Sequence, residues 1–232
     1  MQTREGHEKE QAAPGQSHWD LYNEFLMQGP IDRFAKMLVR YELFRRVIEL
    51  PGDIVEGGVF KGAGLFFWAK LIQIFNPLSK RRVIGFDTFE GYPQQAAHGC
   101  DAKTGERFLQ EANYIPVPPE TLMTTAASQQ LDHRIELVKG DAALTIKEYV
   151  QCNPGFRLSL LNIDFDVYEA TTAALEHLYP LVVPGGVIAF DDYGVRGWGE
   201  SAAVDTFLEG RSLVLKSIPW GYSPTAYFEK PS

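Results

Sequence analysis

The chain is poor in cysteine, with Cys100 and Cys152 its only two in 232 residues. Two thiols so far apart make neither a disulfide framework nor a CxxC metal site, and they read as free thiols of a reducing compartment. No uninterrupted apolar run approaches membrane-spanning length, and the polar start, MQTREGHEKEQAAPGQ, lacks the apolar centre of a secretory signal. The expectation is a cytoplasmic protein with no membrane contact. Basic blocks are missing too: 22 Lys and Arg against 30 Asp and Glu leave a formal charge of -8. Without a basic stripe to follow a phosphate backbone, nucleic acid is disfavoured as a partner. No GK[ST] follows a glycine cluster, which excludes a Walker loop, and there is no clean GxGxxG. What is present, at 45% hydrophobic residues, is enough for one substantial α/β domain with a proper core.

Residues 1–17 are charged, lack apolar periodicity and read as a mobile tail. Over 18–50 apolar residues recur at helical intervals (Phe34, Met37, Leu38, Tyr41, Phe44, Ile48), interrupted at Gly29-Pro30. Two helices are expected there, as an N-terminal cap outside the sheet. Residues 51–232 then alternate strand-like runs, at 53–60, 82–89, 135–141, 158–166 and 187–191, with helical patterns at 65–75, 143–150, 169–179 and 200–209. That rhythm predicts βαβ units with right-handed crossovers and a mostly parallel, Rossmann-like sheet. Two last runs, 213–218 and 226–229, have no helix between them and are expected to pair as an antiparallel hairpin around Trp220-Gly221. Segment 90–119 breaks the rhythm, with three glycines, four prolines, three aromatics and His98. A βα connection of that length is expected to be a lid over the substrate.

Two pairs of aspartates carry most of the information: Asp164/Asp166 in LSLLNIDFDVYEAT and Asp191/Asp192 in GGVIAFDDYG. Each pair stands where an apolar run stops, at the carboxyl edge where open α/β sheets bind ligands. Residues 164 and 166 share a face while the strand lasts, and Tyr193-Gly194 allows the chain to turn so that 191 and 192 both reach inward. Acids gathered in this way repel one another unless protons or a cation neutralise them. With no Cys/His cluster beside them, Mg2+ is favoured over zinc. The bland alternative, helix caps and solvated loop acids, suits one aspartate better than four.

The first strand runs into Glu56-Gly57-Gly58-Val59-Phe60-Lys61-Gly62-Ala63-Gly64, where glycines let a ligand approach the backbone ahead of a helix N-terminus. An acid just before the glycines argues against a pyrophosphate and for a ligand carrying positive charge. The amino and sulfonium groups of S-adenosylmethionine fit. Asp87-Thr88, about 30 positions after the turn, suit ribose hydroxyls, which an NAD-dependent oxidoreductase would place there as well. Asp141 ends the third strand and reads equally as an adenine contact and as a helix N-cap. His98, within the lid, is a candidate substrate contact set against the bland reading of a surface histidine. Trp198 and Trp220 read as packing residues before sugar platforms.

Together RYELFRRVIELPGDIVEGGVFKGAG, IGFDTFEGYP, LLNIDFDVYEATTAALEHLYPLVVPGGVIAFDDYG and the GESAAVDTF helix resemble the macrocin O-methyltransferase family, over roughly residues 37–210. The resemblance implies an S-adenosylmethionine- and metal-dependent enzyme methylating sugar hydroxyls of natural products. It also implies a class I methyltransferase sheet of seven strands, ordered 3-2-1-4-5-7-6, with the last strand antiparallel. By position, Asp164, Asp191 and Asp192 match the metal ligands and Asp166 the general base. Glu56, Gly57, Gly58, Val59, Asp87, Thr88 and Asp141 fall on the cofactor pocket. Catechol methyltransferases, with a similar metal site, carry a lysine three residues after the first aspartate. Val167 stands there in this chain, which tilts the acceptor towards an alcohol, a sugar with neighbouring oxygens. The lid and GVRGWGES match no member closely, so the acceptor itself is not inherited. A homodimer is compatible with the helical cap and with exposed aromatics, and an NAD-dependent oxidoreductase and a non-catalytic binding protein of methyltransferase shape are the rival readings.

Overall fold

A computed structural model describes residues 17–93, 99 and 101–231. The tail expected over 1–17 lies outside the described residues except for Ser17, and His98 lies outside them as well. Ser17 caps the first helix, α1 (His18–Gln28), in a capping box with Asp20. After Gly29-Pro30 the chain enters α2 (Ile31–Val47) and then the first strand, β1 (Asp53–Gly57). There follow α3 (Ala63–Phe75), β2 (Val83–Asp87), α4 (Asp101–Glu111), α5 (Pro119–Ser128), β3 (Ile135–Lys139) and α6 (Ala142–Cys152). The chain continues through β4 (Leu158–Ile163), α7 (Tyr168–His177), β5 (Val182–Phe190), α8 (Glu200–Leu208) and β6 (Ala226–Glu229). Among the described residues no helix is long and apolar enough to cross a membrane.

The sheet runs β3-β2-β1-β4-β5-β6, parallel except for β6, which pairs antiparallel with β5 through Val187↔Glu229 to Phe190↔Ala226. Period-two alternation supplies both of its faces. Val55, Ile84, Leu161 and Ile188 point into one apolar cluster with α6, α7 and α8. Ile54, Val83, Leu160 and Val187 point into the other, with α2, α3 and α5. A strand buried on both faces reads as a continuous apolar run, which is why these strands stand out in the sequence.

Three expectations are corrected. Among the described residues the sheet has six strands, not seven: 213–218 forms no strand and pairs with β6 as the isolated Lys216↔Tyr227 bridge. Pro219 directly follows that stretch and cannot donate to a ladder, and Val214 is 72% exposed, so burial does not hold it flat. The lid is not a plain loop, because α4 and the start of α5 form within it. Pro119 sits at the first turn of α5, where its missing N–H costs nothing. Finally, α2 is a full member of one helical layer rather than a cap. Val39, Leu43, Phe44 and Val47 are each 0% exposed, and each stabilises by roughly 1.5–3 kcal/mol. In contrast, α1 buries no side chain.

Candidate active site

A cavity of about 760 Å³ opens at the carboxyl edge of β1, β2, β4 and β5. Its wall includes Gly58, Asp87, Thr88 and Asp141 as well as Asp164, Asp166, Asp191 and Asp192. The glycine turn and both aspartate pairs therefore face one space. Gly58 is held at φ +82, and a Cβ there would lie 1.9 Å from the Asp164 carbonyl oxygen. Only glycine lets the turn pass this close to the β4 end. Asp87 closes the turn: its Oδ2 accepts the N–H of Val59 at 2.7 Å and of Phe60 at 2.9 Å. Asp141 caps α6, its Oδ1 accepting the Ala143 N–H at 2.9 Å, while it also lines the cavity.

Glu56 is placed differently. It lies two residues after Ile54 on β1 and so shares its face, towards the α2/α3 layer, 1% exposed and off the cavity wall. Arg40 Nη2 reaches its Oε1 at 3.1 Å, and Trp68 Nε1 and Asn162 Nδ2 reach Oε2 at 2.6 and 3.0 Å. Gly57 and Val59 are likewise behind the wall, with Gly57 against the Phe165 ring and Val59 3% exposed. A positive ligand expected at Glu56 finds Arg40 already there.

The acids gather by turning rather than by pleating. The strand β4 ends at Ile163, so Asp164 and Asp166 belong to the loop that follows, and Asp166 takes φ +66. Left-handed backbone outside glycine costs about 1–3 kcal/mol, least for Asp and Asn. The surroundings hold it: the Glu200 N–H donates to the Asp166 carbonyl at 3.1 Å. Glu200 also accepts the Asp192 N–H at 2.8 Å, which links both aspartate loops to the start of α8. Carboxylate oxygens of Asp164, Asp166 and Asp192 come within 4.8 Å of one another, a spacing that one metal ion spans. Burial pushes the Asp164 and Asp166 carboxyls well above the usual range, with Asp191 next in raising Asp164 and a hydrogen bond to Asp192 next in raising Asp166. Asp191 differs. Burial works to raise it, but Lys36 and Arg40 outweigh that and hold it low. Lys36 Nζ lies 2.8 Å from Asp191 Oδ2 and 3.2 Å from Asp164 Oδ2.

Residues 35–218 match the macrocin O-methyltransferase (TylF) family. The chain belongs to that family. A tetracenomycin-C 4'-O-methyltransferase from Streptomyces olivaceus, whose substrate is the 8-demethyl-8-(2,3-dimethoxy-alpha-L-rhamnosyl) form, is 31% identical over 147 residues, 63% of this chain and 54% of its own. A mycinamicin III 3''-O-methyltransferase from Micromonospora griseorubida is 30% identical over 155 residues, 66% of this chain and 59% of its own. The chain thus spans less than two thirds of these relatives. The calicheamicin methyltransferase CalS11 superposes with a TM-score of 0.75 at 30% identity, over 91% of this chain and 84% of CalS11. The fold is accordingly the Rossmann-like class I methyltransferase fold, here with six strands and N-terminal helices.

Three polar groups with no role in the site assigned from the sequence enter it as well. Lys36 and Arg40 are one helical turn apart on α2 and so share a face; Arg40 Nη2 bridges Glu56 to Asp164 Oδ2 at 3.2 Å. Tyr92, after β2, donates its hydroxyl to Asp166 Oδ2. Its ring lies 5.4 Å from that of Trp198 and 6.5 Å from that of Phe108, and all three line the cavity. Gly105 makes room for it inside α4, since a Cβ there would stand 2.7 Å from the Tyr92 ring. Asp101, the first residue of α4, accepts the Tyr168 N–H at the start of α7 on its Oδ2 at 2.9 Å. Periodicity marks Lys36 as the polar neighbour of Met37, and nothing in the sequence distinguishes it from a solvated lysine.

Tyr92→Phe removes the hydroxyl bonded to Asp166 and keeps the ring. A hydrogen bond to a charged group contributes about 1.5–3 kcal/mol, so kcat is expected to fall about ten- to hundredfold with the acceptor KM unchanged. Steady-state kinetics checks this. A raised KM with kcat intact would instead assign Tyr92 to the acceptor wall.

Proposed function

We propose that the protein is an S-adenosylmethionine-dependent O-methyltransferase acting, with Mg2+, on a sugar hydroxyl of a natural product. The observation that carries the reading is the shared cavity, in which the glycine turn and three mutually close carboxylates face one space. The donor set suits the groups in question. The close pass at Gly58 leaves a cradle without a side chain, and the oxygen-only acid cluster is the chemistry a hard cation takes. Asp164 and Asp192 would hold the cation, together with Asp191 as the family pattern implies or with Asp166 as the present spacing allows. Asp87, Thr88 and Asp141 stand on the wall next to Gly58, where the ribose and adenine ends of the cofactor are expected.

When bound, S-adenosylmethionine supplies the methyl group and the cation acidifies the acceptor hydroxyl. Asp166 takes the hydroxyl proton as general base, and Tyr92 fixes the orientation of its carboxylate. Tyr92, Phe108 and Trp198 wall off the acid end of the cavity from water, which strengthens the charge interactions inside. Val167 offers no amine, in keeping with an alcohol rather than a catechol. Sugar acceptors are supported by the relatives: one modifies a rhamnosyl tetracenomycin, and CalS11 is a TDP-rhamnose 3'-O-methyltransferase.

Calorimetry with S-adenosylhomocysteine, with NAD as the contrast, tests the cofactor. Binding of the first and not the second is expected. Turnover on rhamnosylated acceptors is expected to vanish with EDTA and to return with Mg2+. Binding of NAD alone would reassign the protein to oxidoreductases, and turnover indifferent to EDTA would remove the metal from the mechanism.

A further inference from the structure

The metal reading leaves Lys36 without a part, and the geometry gives it one. Its ammonium sits between Asp164 and Asp191, 3.2 and 2.8 Å from their Oδ2 atoms, and so between two of the three residues that the family pattern assigns to the cation. Asp192, the third, is hydrogen-bonded to Asp166 instead. We propose that Lys36 is an internal counter-ion competing with the divalent cation for Asp164 and Asp191, and that its departure switches the ligand set. The inference rests on the metal reading of the preceding section.

With Lys36 in place, Asp191 is spent on the ammonium, and the carboxylates close enough to share an ion are Asp164, Asp166 and Asp192. A cation bound there uses up Asp166, which then cannot act as base. With Lys36 withdrawn, Asp191 joins Asp164 and Asp192, and Asp166 is released to face the acceptor. Withdrawal is sterically open. The Lys36 side chain is 17% exposed and itself lines the cavity, and a four-carbon stem can swing its ammonium to water without moving the helix. Arg40 behaves differently. It is 8% exposed at its side chain and is fixed by Glu56 as well as Asp164, so it stays and screens Asp164 in both states. A dication and an ammonium seated between the same two carboxylates, Asp164 and Asp191, repel strongly at a partly buried site, so the two occupants exclude each other.

Titration calorimetry with Mn2+, repeated with Mg2+, on full-length wild type, Lys36→Met and Lys36→Gln tests the proposal. Both neutral variants are expected to bind the cation about tenfold more tightly or better, since no ammonium has to leave. Lys36→Gln keeps a hydrogen-bond donor for Asp191 should the methionine variant fold poorly. Lys36→Arg keeps the charge and is expected to bind no more tightly than wild type. A merely structural lysine would give the opposite result, because removing it would loosen the site and weaken binding. Equal or weaker affinity in both neutral variants, beside a wild type that binds, overturns the proposal. An arginine variant as tight as the neutral ones does so too, because charge would then not be the cause. No uptake by any of the proteins overturns the metal reading itself, and this inference with it.

Discussion

Asp166→Asn is expected to lower kcat about a hundred- to ten-thousandfold at saturating Mg2+, with affinity for S-adenosylhomocysteine nearly unchanged. Asparagine is the informative replacement because of the backbone. Asp166 sits at φ +66, which asparagine tolerates and alanine does not, so the variant removes the basic oxygen without adding strain. It also keeps an acceptor for the Tyr92 hydroxyl, which leaves the lid contact in place. Cofactor affinity should hold because Asp87 and Asp141, expected at the ribose and adenine, stand at the ends of β2 and β3, whereas Asp166 follows β4 on the far side of β1. Single-turnover kinetics across a Mg2+ series separates the two roles open to this carboxylate. A base cannot be replaced by more metal, whereas a lost ligand can be offset by raising its concentration. Recovery of full activity at high Mg2+ would therefore make Asp166 a ligand and leave the proton acceptor to be found elsewhere.

Most of the sheet is legible in the sequence because parallel strands are buried on both faces and announce themselves as apolar runs such as LSLLNI and VIAF. The acid cluster is legible for a related reason: charges that interrupt such runs at their carboxyl ends have few places to go but the ligand edge. Glu56 shows where this reasoning needs one more step. Its spacing of two from Ile54 already places it on the face that the helices cover, but only the packed α2 shows that Arg40 is waiting for it. The helix α4 was hidden by Gly105 within it, which is kept for the sake of the Tyr92 ring rather than for a turn. Lys36, Arg40 and Tyr92 share one property. Each reaches an aspartate of the cluster across more than 70 residues of chain. Such pairings are made by tertiary packing, and local pattern does not encode them.

The second large effect concerns stability. Arg40→Met is expected to destabilise the fold by about 3–5 kcal/mol, because it leaves a buried carboxylate without its cation. Arg40 is 7% exposed, and Glu56, its main partner, is 1% exposed. Trp68 and Asn162 still donate to Glu56, but neither neutralises it, and Gly64 presses close enough that the carboxylate has no room to turn away: a Cβ there would stand 1.9 Å from Glu56 Oε1. For a chain of this size the loss corresponds to a melting temperature lower by about 6–20 °C. The sign of the pH dependence follows from Glu56. Burial already raises its pKa in the native state against the pull of Arg40, and removing Arg40 raises it further. The native variant then holds a proton that the unfolded chain has released, so its stability increases as pH falls from above the native value towards the unfolded one, and the deficit against wild type narrows. Arg40→Met combined with Glu56→Gln removes the stranded charge and is expected to recover most of the loss, since Asp164 keeps Lys36. Thermal melts of the three proteins across that pH range decide the matter. A single variant that melts with wild type, or a double variant no better than the single, would show that the ion pair does not hold α2 against the strand ends.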